Sequence, residues 1–151
     1  MDSELDLLDA EAAMQQRLRE QIKEVKLVAS TAAIVGLQHD GLTPHLPALF
    51  THPGPAEVTD YAGNGQASAE QVEWVVVAVV KLLPDPTMQS NFSPAGKLLG
   101  QAVRALAGWK PLAHYRPLRY LGRDEPEFSP GYAEFPLRFA ALRMFSGTGG
   151  S

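Results

Sequence analysis

The most hydrophobic stretch of the chain runs from Val72 to Leu83, and the rest of the sequence is organised around it. Every even position from 72 to 82 is apolar, and the odd positions are polar only at the two ends, Glu73 and Lys81. The middle is rich in valine, whose β-branched side chain favours a pleated strand. Because neither face has a polar centre, the pattern predicts a central strand covered on both faces. A buried helix is the alternative, since a short apolar run does not fix the period.

Two other segments show the spacing of apolar residues that is typical of amphipathic helices. In residues 4–24 the apolar positions recur with a helical period, and Asp2 or Ser3 is a candidate N-cap. A second helix is predicted to begin at Ser93, with a proline at its first helical position, and to end at Gly108. Both helices are expected to pack on the sheet.

The segments between the first helix and the central stretch predict two short strands. Residues 25–30 alternate and indicate a strand, and so do residues 47–51. Residues 31–37 fit a helical turn or a continued strand, and residues 38–44 are predicted to be a loop. Residues 52–65 are rich in proline and glycine and predict a long loop or the tip of a hairpin.

The last third of the chain predicts two more strands, at residues 116–121 and 132–145, joined by a polar connection. Pro136 cannot donate a ladder hydrogen bond, which predicts an edge position or a bulge there. Residues 85–92 are expected to be a loop. The fold class is therefore α+β: a mostly antiparallel sheet of about five strands with two main helices packed on it. One domain is predicted over residues 1–145, with a flexible Gly/Ser tail at 146–151.

Composition narrows the possible chemistry. The chain has 151 residues and no cysteine, which excludes disulfides, zinc–thiolate sites and a cysteine nucleophile. Its formal net charge is -4, whereas a general nucleic-acid binder usually has a basic surface. No segment has the length of apolar sequence that a membrane span needs, and the acidic N-terminus does not fit a signal peptide.

No group of polar residues matches a catalytic or metal-binding motif. The histidines at 39, 45 and 52 are six and seven residues apart, which fits no compact ligand spacing, and solvated or locally bonded histidines are the expected state of these and of His114. A phosphate-binding glycine loop and a nucleophile elbow are both missing from the sequence. We therefore predict no catalytic, cofactor-binding or metal-binding residues, no cofactor and no enzymatic activity.

Two clusters of charged residues are candidates for contact surfaces. Asp124, Glu125 and Glu127 lie in a Pro- and Gly-rich connection, which holds carboxylates poorly for acid–base catalysis and predicts a solvated acidic loop. Arginine and tyrosine side chains lie on or beside the last two predicted strands, and these are residue types that protein interfaces favour. The candidate subunit-interface residues are Arg116, Arg119, Tyr120, Tyr132, Arg138 and Arg143. A solvated outer face is the alternative for this second cluster.

The C-terminal half is similar to a known family. Residues 106–111 (Leu-Ala-Gly-Trp-Lys-Pro) end a helix, residues 117–122 (Pro-Leu-Arg-Tyr-Leu-Gly) follow, and after the acidic connection come residues 132–139 (Tyr-Ala-Glu-Phe-Pro-Leu-Arg-Phe). This succession resembles the tail-terminator, or tail-completion, proteins of Mu-like and related tailed bacteriophages. The likeness covers about residues 66–145, and the N-terminal helix fits by order. Pro136 and the long 52–65 segment depart from the pattern.

The resemblance implies a structural virion protein of the phage tail and neck, made in the host cytoplasm. Such a protein forms a ring, commonly a homohexamer, that caps the tail tube and joins the tail to the head connector. Its expected partners are further copies of itself, the tail tube protein and the head–tail connector protein. DNA would pass through without specific binding, past Asp124, Glu125 and Glu127 as candidate channel-facing residues, and no membrane would be involved.

Two other functions remain open from the residues alone. A ligand-binding or other structural α+β module could pair its sheets in a dimer. A small hydrolase using a histidine and a carboxylate would show that histidine in a cleft with a perturbed pKa.

Overall fold

The core of this protein is a six-stranded, mostly antiparallel sheet. The computed structural model describes residues 5–83 and 89–147, apart from the side chains of 38–40 and 89–92. Its elements, in chain order, are α1 (Ala10–Gln21), β1 (Leu27–Ser30), α2 (Ala33–Asp40), a 3-10 turn (Thr43–His45), β2 (Ala48–Ala62), β3 (Ala67–Lys81), α3 (Gln89–Leu106), β4 (Arg119–Arg123), β5 (Glu127–Ser129) and β6 (Tyr132–Ser146). The strand order is β1-β2-β3-β6-β4, and the short β5 also pairs with β6. Only the β1–β2 pair is parallel among these strands. The predicted α+β class is confirmed, with one strand more than expected because residues 127–129 pair with β6.

The central strand β3 pairs along its length with β2 on one side and β6 on the other. Its even-numbered side chains, including Trp74, Val76 and Ala78, are buried against α1 and α3, and we call this side of the sheet the helix face. The large side chains that meet them from β6 are Phe135, Leu137 and Phe139. The alternation in the sequence therefore placed the two faces of β3 and of β6 correctly.

The other side of the sheet, the far face, has its own small core over β1, β2 and β3. Val77 and Val79 pack there with Phe50 and with Leu42 and Leu46 from the turn before β2. Ile34 and Leu37 of α2 complete this core. The second cover that the sequence required is thus supplied by the chain itself, and residues 31–37 contribute to it as a helix, not as a strand.

Residues 52–65 form most of one arm of a long hairpin and part of its turn, so the predicted long loop is wrong and the alternative of a hairpin tip holds only for the last residues. β2 continues to Ala62, and the chain turns at 63–66 into β3. Gly63, Asn64 and Gly65 all have positive φ, which is the conformation that a tight turn requires and that glycine and asparagine tolerate best. Pro53 and Pro55 fit within β2 because the register shifts between Pro53 and Ala56.

Pro136 lies in an interior strand, so the prediction of an edge position is wrong. β6 pairs with β3 on one side and with β4 and β5 on the other. The Pro136 carbonyl accepts a hydrogen bond from the Asp124 N–H at 3.2 Å, which shows that its backbone polar groups point to the β4–β5 side. There the ladder is interrupted between Arg123 and Glu127, so the missing N–H falls where no strand partner stands.

Both predicted helices form, with shifted ends. α1 begins at Ala10, because Asp6 accepts a hydrogen bond from the Leu8 N–H and holds the preceding residues in a turn. α3 begins at Gln89, so Ser93 and Pro94 lie inside it instead of opening it. The predicted loop at 85–92 is wrong for its last four residues, which belong to α3. The proposed caps Asp2 and Ser3, residues 85–88 of that loop and residues 148–151 of the tail fall outside the described residues.

Candidate assembly surface

The far face is polar outside the area that α2 covers, because β6 and β4 carry charged and polar side chains there. Arg138 lies between two carboxylates, with Nη1 3.6 Å from Glu73 Oε1 and Nε 3.3 Å from Asp124 Oδ1. Arg119 donates a hydrogen bond to Gln71 Oε1 at 3.0 Å. Because Arg138 and Asp124 are well exposed, the ion pairs orient the guanidinium more than they stabilise the fold. This part of the sheet is a polar surface built from three strands.

The six candidate interface residues are divided between the two faces by the sheet register. Arg119 and Arg138 lie on the far face, as does Tyr132, which is partly buried beside the far-face core. Tyr120 is exposed on the helix face, with its ring centroid 5.6 Å from that of Phe139. Arg116 is exposed just before β4. Five of the six therefore present some surface to a neighbour.

The sixth, Arg143, is fully buried within the chain. Its guanidinium lies 3.1 Å from Glu70 and 3.6 Å from Asp9, and it donates a hydrogen bond of 2.7 Å to the backbone carbonyl of Asp6. The rings of Tyr115 and Phe145 flank it, at 5.8 and 5.5 Å from the guanidinium carbon to the ring centroid. Its partners lie inside the subunit, so we leave Arg143 out of the proposed contact.

Asp9 is the centre of this buried network, which sequence reasoning missed. Its carboxylate accepts a hydrogen bond from the Tyr115 hydroxyl at 2.7 Å and lies 2.8 Å from His114 Nε2. Burial, and then the bond to the Asp9 carboxylate, raise the pKa of Tyr115 well above its ordinary value. The network joins the residues before α1 to the C-terminal end of β6. No sequence signal could have found it, because the partners are more than 100 residues apart.

The acidic connection is more ordered than a free loop. Asp124 pairs with Arg138, Glu125 is exposed, and Glu127 begins β5 directly opposite Glu134 of β6. Partial burial, and then the charge of Glu127, raise the pKa of Glu134. Two of the three acids therefore have fixed positions beside the far face.

The β2–β3 hairpin is a second exposed surface, which the sequence marked only as turn-rich. From Pro55 to Gln66 every residue is exposed. Val58 and Tyr61 are among the exposed large hydrophobic residues, at 39% and 66% of their full surface. Glu57 and Asp60 lie on the far face of the same arm, since they pair with Gln71 and Ala69. Exposed apolar and acidic residues side by side on an edge strand make this arm a candidate contact surface.

The described part of the chain offers little for catalysis or for a metal. No group of three or more His, Asp or Glu side chains suited to a metal ion occurs among the described residues. His52 bonds to the Thr31 hydroxyl through Nδ1 at 2.8 Å, and His114 lies 2.8 Å from Asp9, so each has a hydrogen-bond partner within the chain. Within the residues described, no helix is long and apolar enough to cross a membrane.

Comparison with known proteins assigns this fold. The sequence profile of the phage tail terminator proteins matches residues 3–145, which is nearly the whole chain. The chain belongs to the phage tail terminator family. No curated protein matches the chain. Among solved structures, a chain from the virion of a native gene transfer agent particle superimposes with a TM-score of 0.55. The two are 16% identical, and the match covers 89% of this chain and 94% of that one.

Membership of the family confirms the resemblance read from the C-terminal half and extends it to the N-terminal helix. The terminator chain is thus a structural protein of phage tails. Its solved structural neighbour shares the fold.

Proposed function

We propose that this terminator chain forms a ring, most simply a homohexamer, that caps the finished tail tube and joins it to the head connector. The observation that carries the proposal is the family match, which spans all three helices and all of the strands described above, except the last residue of β6. Its partners on this proposal are further copies of the chain, the tail tube protein and the head–tail connector protein. Its place is the neck of the virion.

The geometry of the sheet supports assembly from unlike surfaces. β2 beyond Thr51 and β4 lie at opposite edges of one sheet, and both carry exposed polar side chains. A head-to-tail contact between unlike surfaces closes into a ring when the rotation between copies allows it. Arg116, Arg119, Tyr120, Tyr132 and Arg138 are proposed to contribute to that contact.

Deletion of the gene tests the proposal directly. Particles made without the protein should contain filled heads and separate tails, and the tails should vary in length because nothing caps the growing tube. Electron microscopy of the lysate and a length histogram of the tails measure both effects. Supplying the parent gene in trans should restore joined particles, and normal joined particles from the deletion would refute the proposal.

A further inference from the structure

The exposed charges at the two edges of the sheet are of opposite sign. Glu57 and Asp60 lie within residues 52–62 of β2, which we call the hairpin arm. Arg116 lies just before β4, and Arg119 is its first residue. Within the described residues, none of these four forms an ion pair with another part of the chain. Each edge therefore has charge to offer to a partner outside the chain.

The two edges run in opposite directions. β4 is antiparallel to β6, β6 to β3, and β3 to β2, so β4 is antiparallel to β2. A copy rotated about an axis along the strands keeps these directions. Its β4 would then lie antiparallel to the hairpin arm of the first copy, as in a continued sheet.

The spacing of the charges fits such an approach. Glu57 and Asp60 are three residues apart, and so are Arg116 and Arg119. In an antiparallel arrangement one register sets Glu57 against Arg119 and Asp60 against Arg116 at the same time. Arg119 and both acids lie on the far face by their pairing.

Apolar side chains match on the other side of the same edges. Val58 and Tyr61 pair with Glu70 and Ser68, which places them on the helix face, and they are exposed. Tyr120 is also exposed on the helix face, on β4. In the register that pairs the charges, Tyr120 comes opposite Ala56 and diagonal to Val58 on the helix face. A diagonal neighbour is within reach of an aromatic side chain, so the contact would bury aromatic and aliphatic surface as well.

We propose that the acidic hairpin arm of one subunit docks on the basic β4 edge of the next copy, with Glu57 against Arg119, Asp60 against Arg116, and Tyr120 diagonal to Val58. The proposal rests on the ring of the proposed function and names the two surfaces that make it. Pro53 and Pro55 have no N–H, so side chains carry the contact in place of a continuous backbone ladder. The partner is a second copy because the complementary edges belong to the same sheet.

Charge reversal tests the pairing. One variant carries Glu57→Arg and Asp60→Arg, and a second carries Arg116→Glu and Arg119→Glu. All four positions are exposed, so both variants should fold, which circular dichroism checks. Each variant alone then has two edges of like charge and should associate about 100-fold more weakly than the parent in sedimentation velocity. An equimolar mixture should recover association, because the basic arm of one variant fits the acidic edge of the other.

The matched control carries Arg104→Glu and Lys110→Glu, two exposed cations of the helix layer, and should associate like the parent. The docking proposal is overturned if either reversed variant associates like the parent, if the mixture does not recover, or if the parent itself shows no self-association. Loss with the arm variant alone would show that the arm contacts a different surface of the second copy, and not the β4 edge.

The same variants in particles separate this inference from the proposed function. With the gene deleted, the parent gene should restore joined particles, each reversed gene should not, and the two reversed genes together should. Failure of the parent gene would refute the tail-capping role, whereas restoration by a single reversed gene would refute the docking contact alone.

Discussion

A guanidinium without exposed surface is stable in a protein only when anions compensate its charge, and Arg143 has the carboxylates of Glu70 and Asp9. From the sequence, Arg143 looked like its neighbours on the last strand and was grouped with the surface arginines. The position of each arginine along β6 decides which face of the sheet its side chain lies on. Arg143 shares the helix face with Phe139 and Ala141, whereas Arg138 is on the far face.

Removing the Arg143 guanidinium should therefore destabilise the monomer strongly. Arg143→Met leaves two carboxylates near a buried site without their cation, and we expect a loss of about 3–5 kcal/mol in the free energy of unfolding. Urea denaturation measures it. Adding Glu70→Gln to Arg143→Met should recover part of the loss, and Arg119→Met, at an exposed site, should stay within about 0.5 kcal/mol of the parent. A parent-like Arg143→Met would show that the network contributes nothing to stability.

Val77 tests burial in the far-face core, as Arg143 tests it on the helix face. Val77 is 7% exposed and packs beside Phe50 and Val79. Val77→Ala should cost about 1–3 kcal/mol through lost burial and the cavity left behind. Val77→Asp should prevent soluble folding, because a buried unpaired charge costs several kcal/mol against a total stability of about 5–15 kcal/mol. Soluble yield and denaturation curves test both, and a cooperatively folded Val77→Asp protein would contradict this burial.

At the level of single elements, the hairpin and β6 show why turn-forming residues misled the prediction. Proline and glycine indicate turns because of local conformational preference. Here Pro53, Pro55 and Pro136 are accommodated in strands, since a register shift or an interrupted ladder leaves their missing N–H without a required partner. Whether such a site exists depends on the neighbouring strand, which the local sequence does not show.

The position of Pro136 gives a prediction for β6. Pro136→Ala should change the free energy of unfolding by no more than about 1 kcal/mol, because the regained N–H points to the gap between β4 and β5 and the unfolded chain gains freedom. Leu137→Pro is the contrast, because residue 137 directs its backbone toward β3 and its side chain is buried. We expect it to cost at least about 3 kcal/mol. Equal effects of the two changes in thermal denaturation would refute this assignment of the ladder.

At the scale of the whole molecule, Arg138 tests the assembly surface. Arg138→Glu places a third carboxylate beside Glu73 and Asp124, which should cost about 1–2 kcal/mol at this half-exposed site. That is less than the total stability of a domain, so the monomer should stay folded while ring formation is lost. Circular dichroism and sedimentation across concentration measure the two effects. Unchanged assembly, or simple unfolding, would show that the proposed contact face is wrong.

The acidic residues beside the far face test the proposed path of the DNA. If Asp124, Glu125 and Glu127 face the channel, they keep its wall repulsive to the duplex. Replacing all three with Lys should then create DNA binding that weakens steeply with salt, because phosphate contacts release counterions. Fluorescence polarisation at several salt concentrations measures it, with Glu20→Lys and Glu24→Lys on and just after α1 as the control. Binding no stronger than that of the control would place these residues away from the channel.

Much of the architecture followed from patterns that are local in the sequence. The period-2 alternation from 72 to 81 assigned β3 and both of its faces, and the same alternation assigned Phe135, Leu137 and Phe139 to the helix face. The helical spacing in the two amphipathic segments predicted α1 and α3. The succession of residues in the C-terminal half identified the family. These features are readable because side-chain periodicity reports directly which residues are buried.

Only the tertiary structure decided which strands are neighbours and which charges are buried. The order β1-β2-β3-β6-β4 placed the acidic arm and the basic edge at opposite ends of one sheet. It also brought Asp9, Tyr115 and Arg143 together from three distant parts of the chain. Contacts of this kind depend on strand pairing between remote segments, whose free energy is shared by the whole sheet. For that reason they leave no signal in any single stretch of sequence.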